Sequence, residues 1–186
     1  MKMSRYHTFL SWLPAFTGVS AIAVAAATPA DTITDSFFTA LPGAWEGRAY
    51  ETPVGPVDYP IHFHPCGENV VAGVAELRVS DHYWYFRQSD GELGLTFLST
   101  FRGNREPTEL VVSKIEDHTI WLHAPELQLL TLSLTLVEPD IEIRVFHHRK
   151  PHVAIRLTRS DRQQNGSTRN KNRLKSCEPP GLHQPE

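Results

Sequence analysis

The sequence predicts an all-β protein, a single antiparallel up-and-down β-barrel of about 8 to 10 strands. Three observations predict it. Between Ala44 and Arg159 the chain falls into short runs in which apolar and polar residues alternate. Turn-forming Gly, Pro, Asn, Asp and Ser separate those runs at near-even spacing. Long stretches of helical periodicity are missing, and a helix is expected only around Thr34 to Leu41. With 186 residues and 40% hydrophobic content, the chain suits one packed domain.

The first strand is expected at Ala44 to Thr52, closed by the turn Pro53-Val54-Gly55-Pro56. Val57 to His64 follows, with Tyr59, Ile61 and Phe63 on one face and Asp58, His62 and His64 on the other. Val70 to Val79 is a strand rich in small residues. His82 to Gln88 carries Tyr83-Trp84-Tyr85-Phe86, two aromatics per face. Ser89-Asp90-Gly91 is a hairpin signal. Leu93 to Phe101 alternates, with Leu93, Leu95, Phe97, Ser99 and Phe101 sharing a face. After the polar loop Arg102 to Pro107 come Glu109 to Ile115, Thr119 to Ala124, Leu127 to Val137, Ile141 to His148 and Val153 to Arg159. Short links make sequence neighbours the natural strand partners, and closure removes exposed sheet edges.

The two ends differ from this middle. Residues 1–30 read as a secretory signal peptide. Lys2 and Arg5 are their only charges, Phe9 to Ala27 is apolar, and cleavage after Ala27 or Ala30 fits a small-residue rule. The mature protein is then exported, periplasmic or secreted, with no stable membrane span after cleavage. Residues 161–186 read as a loose polar tail whose clearly apolar residues are Leu174, Cys177 and Leu182. The barrel domain is residues 31–160. With 18 acidic against 11 basic residues it stands at −7, which argues against nucleic acid and other acidic partners. The two cysteines are too few for a disulfide scaffold, and whether Cys66 pairs with Cys177 stays open.

Binding, rather than catalysis, is the expected activity. A barrel of this size encloses space for one small, mostly apolar ligand. Leu95, Phe97, Phe101, Ile143 and His147 are the expected inward lining, with Arg102 and Arg105 at the mouth. No Gly-x-Ser-x-Gly elbow, phosphate loop or paired carboxylates are visible. His62 and His64, two residues apart on one strand face, are weak candidates for a metal pair, with Cys66 nearby. No cofactor is expected on these grounds. A barrel filled by its own side chains, acting as an envelope or interaction module, is a further reading.

The segment Gly43-Ala44-Trp45-Glu46-Gly47 resembles the opening strand of calycin proteins, the group of lipocalins and fatty-acid-binding proteins. That resemblance implies a barrel closed by Trp45 with a basic residue of the last strand, and Arg156 is the expected partner. The chain departs from it in lacking a two-helix lid. Gly43, Trp45 and Gly47, with Pro151-His152 before the last strand, also resemble nitrobindin-type haem barrels. That likeness implies haem as an alternative cofactor with His152 as its iron ligand. An enzyme using His152 in this way, or His147 as an acid or base, is the alternative function.

Overall fold

The computed structural model describes residues 29–160, except 53 and 128, together with Cys177. The signal-peptide reading, apart from residues 29 and 30, and the tail reading, apart from Cys177, lie outside the described residues.

A helix, α1 (Pro29–Ala40), leads directly into β1 (Gly43–Tyr50). Then follow β2 (Val57–Asp58), β3 (Ile61–Pro65), β4 (Val70–Glu76), β5 (Asp81–Ser89) and β6 (Glu92–Ser99). After a 3-10 turn at Phe101–Gly103 come β7 (Thr108–Glu116), β8 (Thr119–His123), β9 (Leu130–Val137), β10 (Asp140–His147) and β11 (Lys150–Arg159). Each strand pairs antiparallel with the next around the wall, and β11 closes onto β1 through six residue pairs, Trp45–Arg159 to Tyr50–Ala154. β2 and β3 act as one interrupted stave beside β1, so the closed barrel has ten staves. Pro60 has no N–H to give the ladder, which accounts for the interruption.

The hairpins follow from their turn residues. Asp90-Gly91, Asp117-His118 and His148-Arg149 all hold positive φ at both positions, the twist that two-residue hairpins require. Such turns give no slack, so each fixes the register of the strand ends it joins, and the shifts come farther along, at Val112/Lys114 and Val145/Phe146. Alternation then sends Trp45, Ile61, Phe63, Trp84, Phe86, Leu95, Leu122, Leu134, Ile143 and Leu157 inward, all 4% exposed or less. Burying each such side chain contributes about 1.5–3 kcal/mol.

The strand directions place α1 at the end where β1 begins and β11 finishes. Phe37 and Leu41 of that segment enter the core with Trp45. Thr34 Oγ1 donates to the Gly91 carbonyl at 3.4 Å, and the Gln88 amide bonds to the Asp35 carboxylate. The helix is thus a plug fixed to the β5–β6 hairpin. It covers the expected helix from Thr34 as far as Ala40, stops one residue short of Leu41, and begins earlier, at Pro29.

Barrel closure corrects the expected partner of Trp45. Arg156 points outward and donates to Asp140 Oδ2 at 2.9 Å. The guanidinium over the Trp45 ring, 4.3 Å from its centroid, belongs to Arg159. Arg159 also donates to the carbonyls of Ala40 and Pro42, both at 2.6 Å. It therefore ties the last strand to the carbonyls left over at the end of α1. Trp45 Nε1 donates to the Leu41 carbonyl at 2.8 Å.

Candidate ligand cleft and the buried polar chain

The middle of the barrel is packed solid. Trp84, Leu95, Leu122, Leu134, Ile143 and Leu157 each keep 1% exposure or less. Leu95 and Ile143 are inward, as the alternation predicts. Phe97 is inward but half-buried, tilted against Trp84 at 4.6 Å and edge-on to His82 at 5.4 Å. These three belong to one core.

The other expected lining residues do not join it. Phe101 lies outside β6 in the 3-10 turn and is 49% exposed. Arg102, at φ 55, stacks over Phe101 in the same exposed loop, and Arg105 is exposed beyond it. His147 ends β10 past a bulge at Val145/Phe146 and is exposed beside His148. It shares the inward parity of Ile143 but has run past the rim. His152 is exposed too, 6.5 Å from His147. An axial haem ligand needs an enclosed apolar face around it, and neither histidine has one.

His62 and His64 stack at 3.9 Å on the outer face of β3. Cys66 is bonded to Cys177, so it offers no thiolate. Among the described residues no group of three His, Cys, Asp or Glu side chains could hold a metal ion.

The wall itself is interrupted between β6 and β7. Their ladder runs only over Gly94–Phe97 against Val111–Thr108. Below it, a bulge between Val112 and Lys114 turns the rest of β7 aside. The parted strands leave a cleft of about 620 Å³. Leu93, Leu95, Val112 and Ile115 give it an apolar floor continuous with the core. Arg87, Asp90, Glu92 and Glu109 rim it, three acids against one base, and Thr34 of α1 closes one side. Glu109 is held by the Thr96 hydroxyl at 2.8 Å. Gly94, the last paired residue before the gap, lines the cleft with room to spare: a Cβ there would find only the Arg87 carbonyl, at 3.9 Å. Of the residues expected to bind ligand, only Leu95 borders this cleft.

A buried polar chain lies toward the opposite end. Trp84 Nε1 donates to Tyr59 Oη at 2.8 Å. The Tyr59 hydroxyl is then free to donate its own proton to His82 Nδ1, at 2.9 Å, when that nitrogen is the unprotonated one. His82 Nε2 then carries the other proton toward Ser80 Oγ, at 3.3 Å. The order works only with a neutral imidazole. Burial lowers the His82 pKa from 6.5 to about 4, outweighing the neighbouring Asp81 carboxylate, which raises it. Burial likewise pushes the Tyr59 phenol above its usual range. Every polar atom of the chain is matched, which marks it as a fastener of the interior.

Two outcomes follow. Tyr59→Phe strips the acceptor from Trp84 and the donor from His82, and is expected to destabilise by about 1–3 kcal/mol in urea unfolding. The pH response has a definite sign. Between pH 4 and 6.5 the unfolded chain binds a proton at His82 that the folded chain refuses. This contribution is complete above pH 6.5 and is lost as pH falls toward 4, on the order of 3 kcal/mol. Unfolding measured at both ends of that window should show a smaller drop in His82→Gln than in the parent. An equal drop would place the titration elsewhere.

The architecture is compatible with the calycin-like barrel that Gly43 to Gly47 predicts. No family profile matches the chain, and no curated protein matches it either. The Cys66–Cys177 disulfide is compatible with an oxidising compartment. Among the described residues no helix is long and apolar enough to cross a membrane.

Proposed function

We propose that this protein is an exported, non-enzymatic binding protein and that its ligand is a small amphipathic molecule seated in the β6–β7 cleft. The observation that carries the reading is the parted wall, where an apolar floor of core side chains meets an acidic rim. A hydrocarbon portion would be desolvated against Leu95, Val112 and Ile115. A neutral or cationic polar end would face Glu92 and Glu109. Leu95 and Ile143, the buried part of the expected lining, pack among other core side chains, which supports a seat in the wall over one in a central chamber. The sequence suggests a small, mostly apolar ligand inside the barrel; the acidic rim adds a polar end to that ligand, and the cleft offers it a seat in the wall.

The test is native mass spectrometry, with an absorbance scan, of the mature chain purified from its own compartment. The parent should carry an extra, colourless mass. Gly94→Trp should fill the cleft without backbone conflict and lose that mass at unchanged melting temperature. Retention of the mass in Gly94→Trp would dismiss this seat. A Soret band would favour the haem alternative.

A second reading, a filled barrel serving as an interaction module, is supported by the solid interior. It expects a bare protein mass in both samples.

A further inference from the structure

One apolar surface lies outside the barrel. Ala72 and Val74 of β4, Tyr83 and Tyr85 of β5, and Leu98 of β6 form a cluster separate from the interior. Register aligns them, Val74 beside Tyr83 beside Leu98, and Ala72 beside Tyr85. The outward side of a barrel normally meets water, yet these five side chains are only 0–6% exposed. Among the described residues, the further apolar group packed against them is Cys66. Cys66 is disulfide-bonded to Cys177, well beyond the end of β11. The sequence around Cys177 holds the apolar residues of the C-terminal stretch, Leu174 and Leu182, with Pro179 and Pro180 between.

We propose that the outer face of β4–β6 is a docking surface for this chain's own segment from Leu174 to Leu182, and that the Cys66–Cys177 disulfide straps it there. A short segment with two leucines has too little apolar area to order itself unaided. The disulfide supplies what composition lacks, because it holds Cys177 beside Cys66 and so raises the effective concentration of the flanking segment at this face. The strap also has a purpose in solubility. Without it, two tyrosines, a leucine, a valine and an alanine would form a contiguous exposed patch of the kind that draws partners.

Tyrosine nitration tests this in the full mature chain with its disulfide intact. Tetranitromethane attacks phenolates, and the modified residues are located by peptide mass spectrometry. Half-buried Tyr50 serves as the internal reference. Tyr83 and Tyr85 should stay unmodified in the parent. In Cys177→Ser their nitration should rise about tenfold or more, toward the rate of Tyr50, as the segment opens. The double variant L174D/L182D keeps both cysteines and should show the same rise, so the result does not depend on how Cys177→Ser folds. Continued protection of both tyrosines in the double variant, disulfide present, overturns the proposal. Protection of the parent that falls on dilution also overturns it, by assigning the face to a second copy of the chain.

Discussion

Gly47→Ala is expected to unfold the barrel or to destabilise it by at least about 3 kcal/mol, the upper range of overpacking effects. Gly47 lies in extended backbone, so its need is for space. An added Cβ would stand 2.0 Å from the Tyr59 carbonyl oxygen, 2.9 Å from its carbon and 2.8 Å from Leu157 Cδ2. The leucine tip can shift. The Tyr59 backbone cannot, because its N–H donates to the Gly47 carbonyl at 2.6 Å and its hydroxyl is fixed between Trp84 and His82. One methyl group would thus disturb the crossing of β1 with the β2–β3 stave and the buried polar chain together. Gly94→Ala is the control. Its Cβ meets nothing closer than 3.9 Å, so its unfolding midpoint should equal the parent's or rise slightly. A Gly47→Ala protein as stable as Gly94→Ala would show that the two staves are not held this close.

Trp45→Ala carries the second large effect. The ring is 1% exposed within the core that Phe37 and Leu41 share. Truncation leaves a cavity and should destabilise by about 3–5 kcal/mol in urea unfolding. It also frees the Leu41 carbonyl and removes the face on which Arg159 stacks. Amide hydrogen exchange should therefore show α1 losing protection before the strands do. Trp45→Phe keeps most of the ring area and should show the smaller loss expected of a missing hydrogen bond, about 1 kcal/mol. If α1 and the strands open together in Trp45→Ala, the helix is not a separately held plug.

Much of the barrel is legible in the sequence because period-two alternation and tight turns are local. Asp90-Gly91 predicts its hairpin, and His82, Trp84 and Phe86 fall on one face by spacing alone. Arg159 could have been found the same way. Ile155 and Leu157 point inward, so parity selects Arg159 and excludes Arg156, whereas the family likeness alone suggests the wrong arginine. Tyr59 and His82 are both inward by parity, but their bond joins residues on different staves and needs the register of the whole wall. Phe101 and His147 lie outside the core for a different reason. Alternation tells which side a residue faces, not where the barrel stops. β6 ends at Ser99, ahead of the 3-10 turn that holds Phe101, and β10 ends at His147 itself, beside a register shift against β11 between Val145 and Phe146. The cleft was invisible for the same reason, since it arises from a bulge in β7 and a short ladder with β6.

The pairing of β1 with β11 has a consequence in time. Trp45 cannot meet Arg159 until nearly the whole domain has been synthesised and brought round. Until that pairing forms, the first and last strands are two unpaired sheet edges. Such a chain gains its decisive contacts last and across the greatest separation, which predicts slow, all-or-none folding. Loss of even a few residues from the final strand would leave an open sheet with exposed edges in place of a shorter barrel.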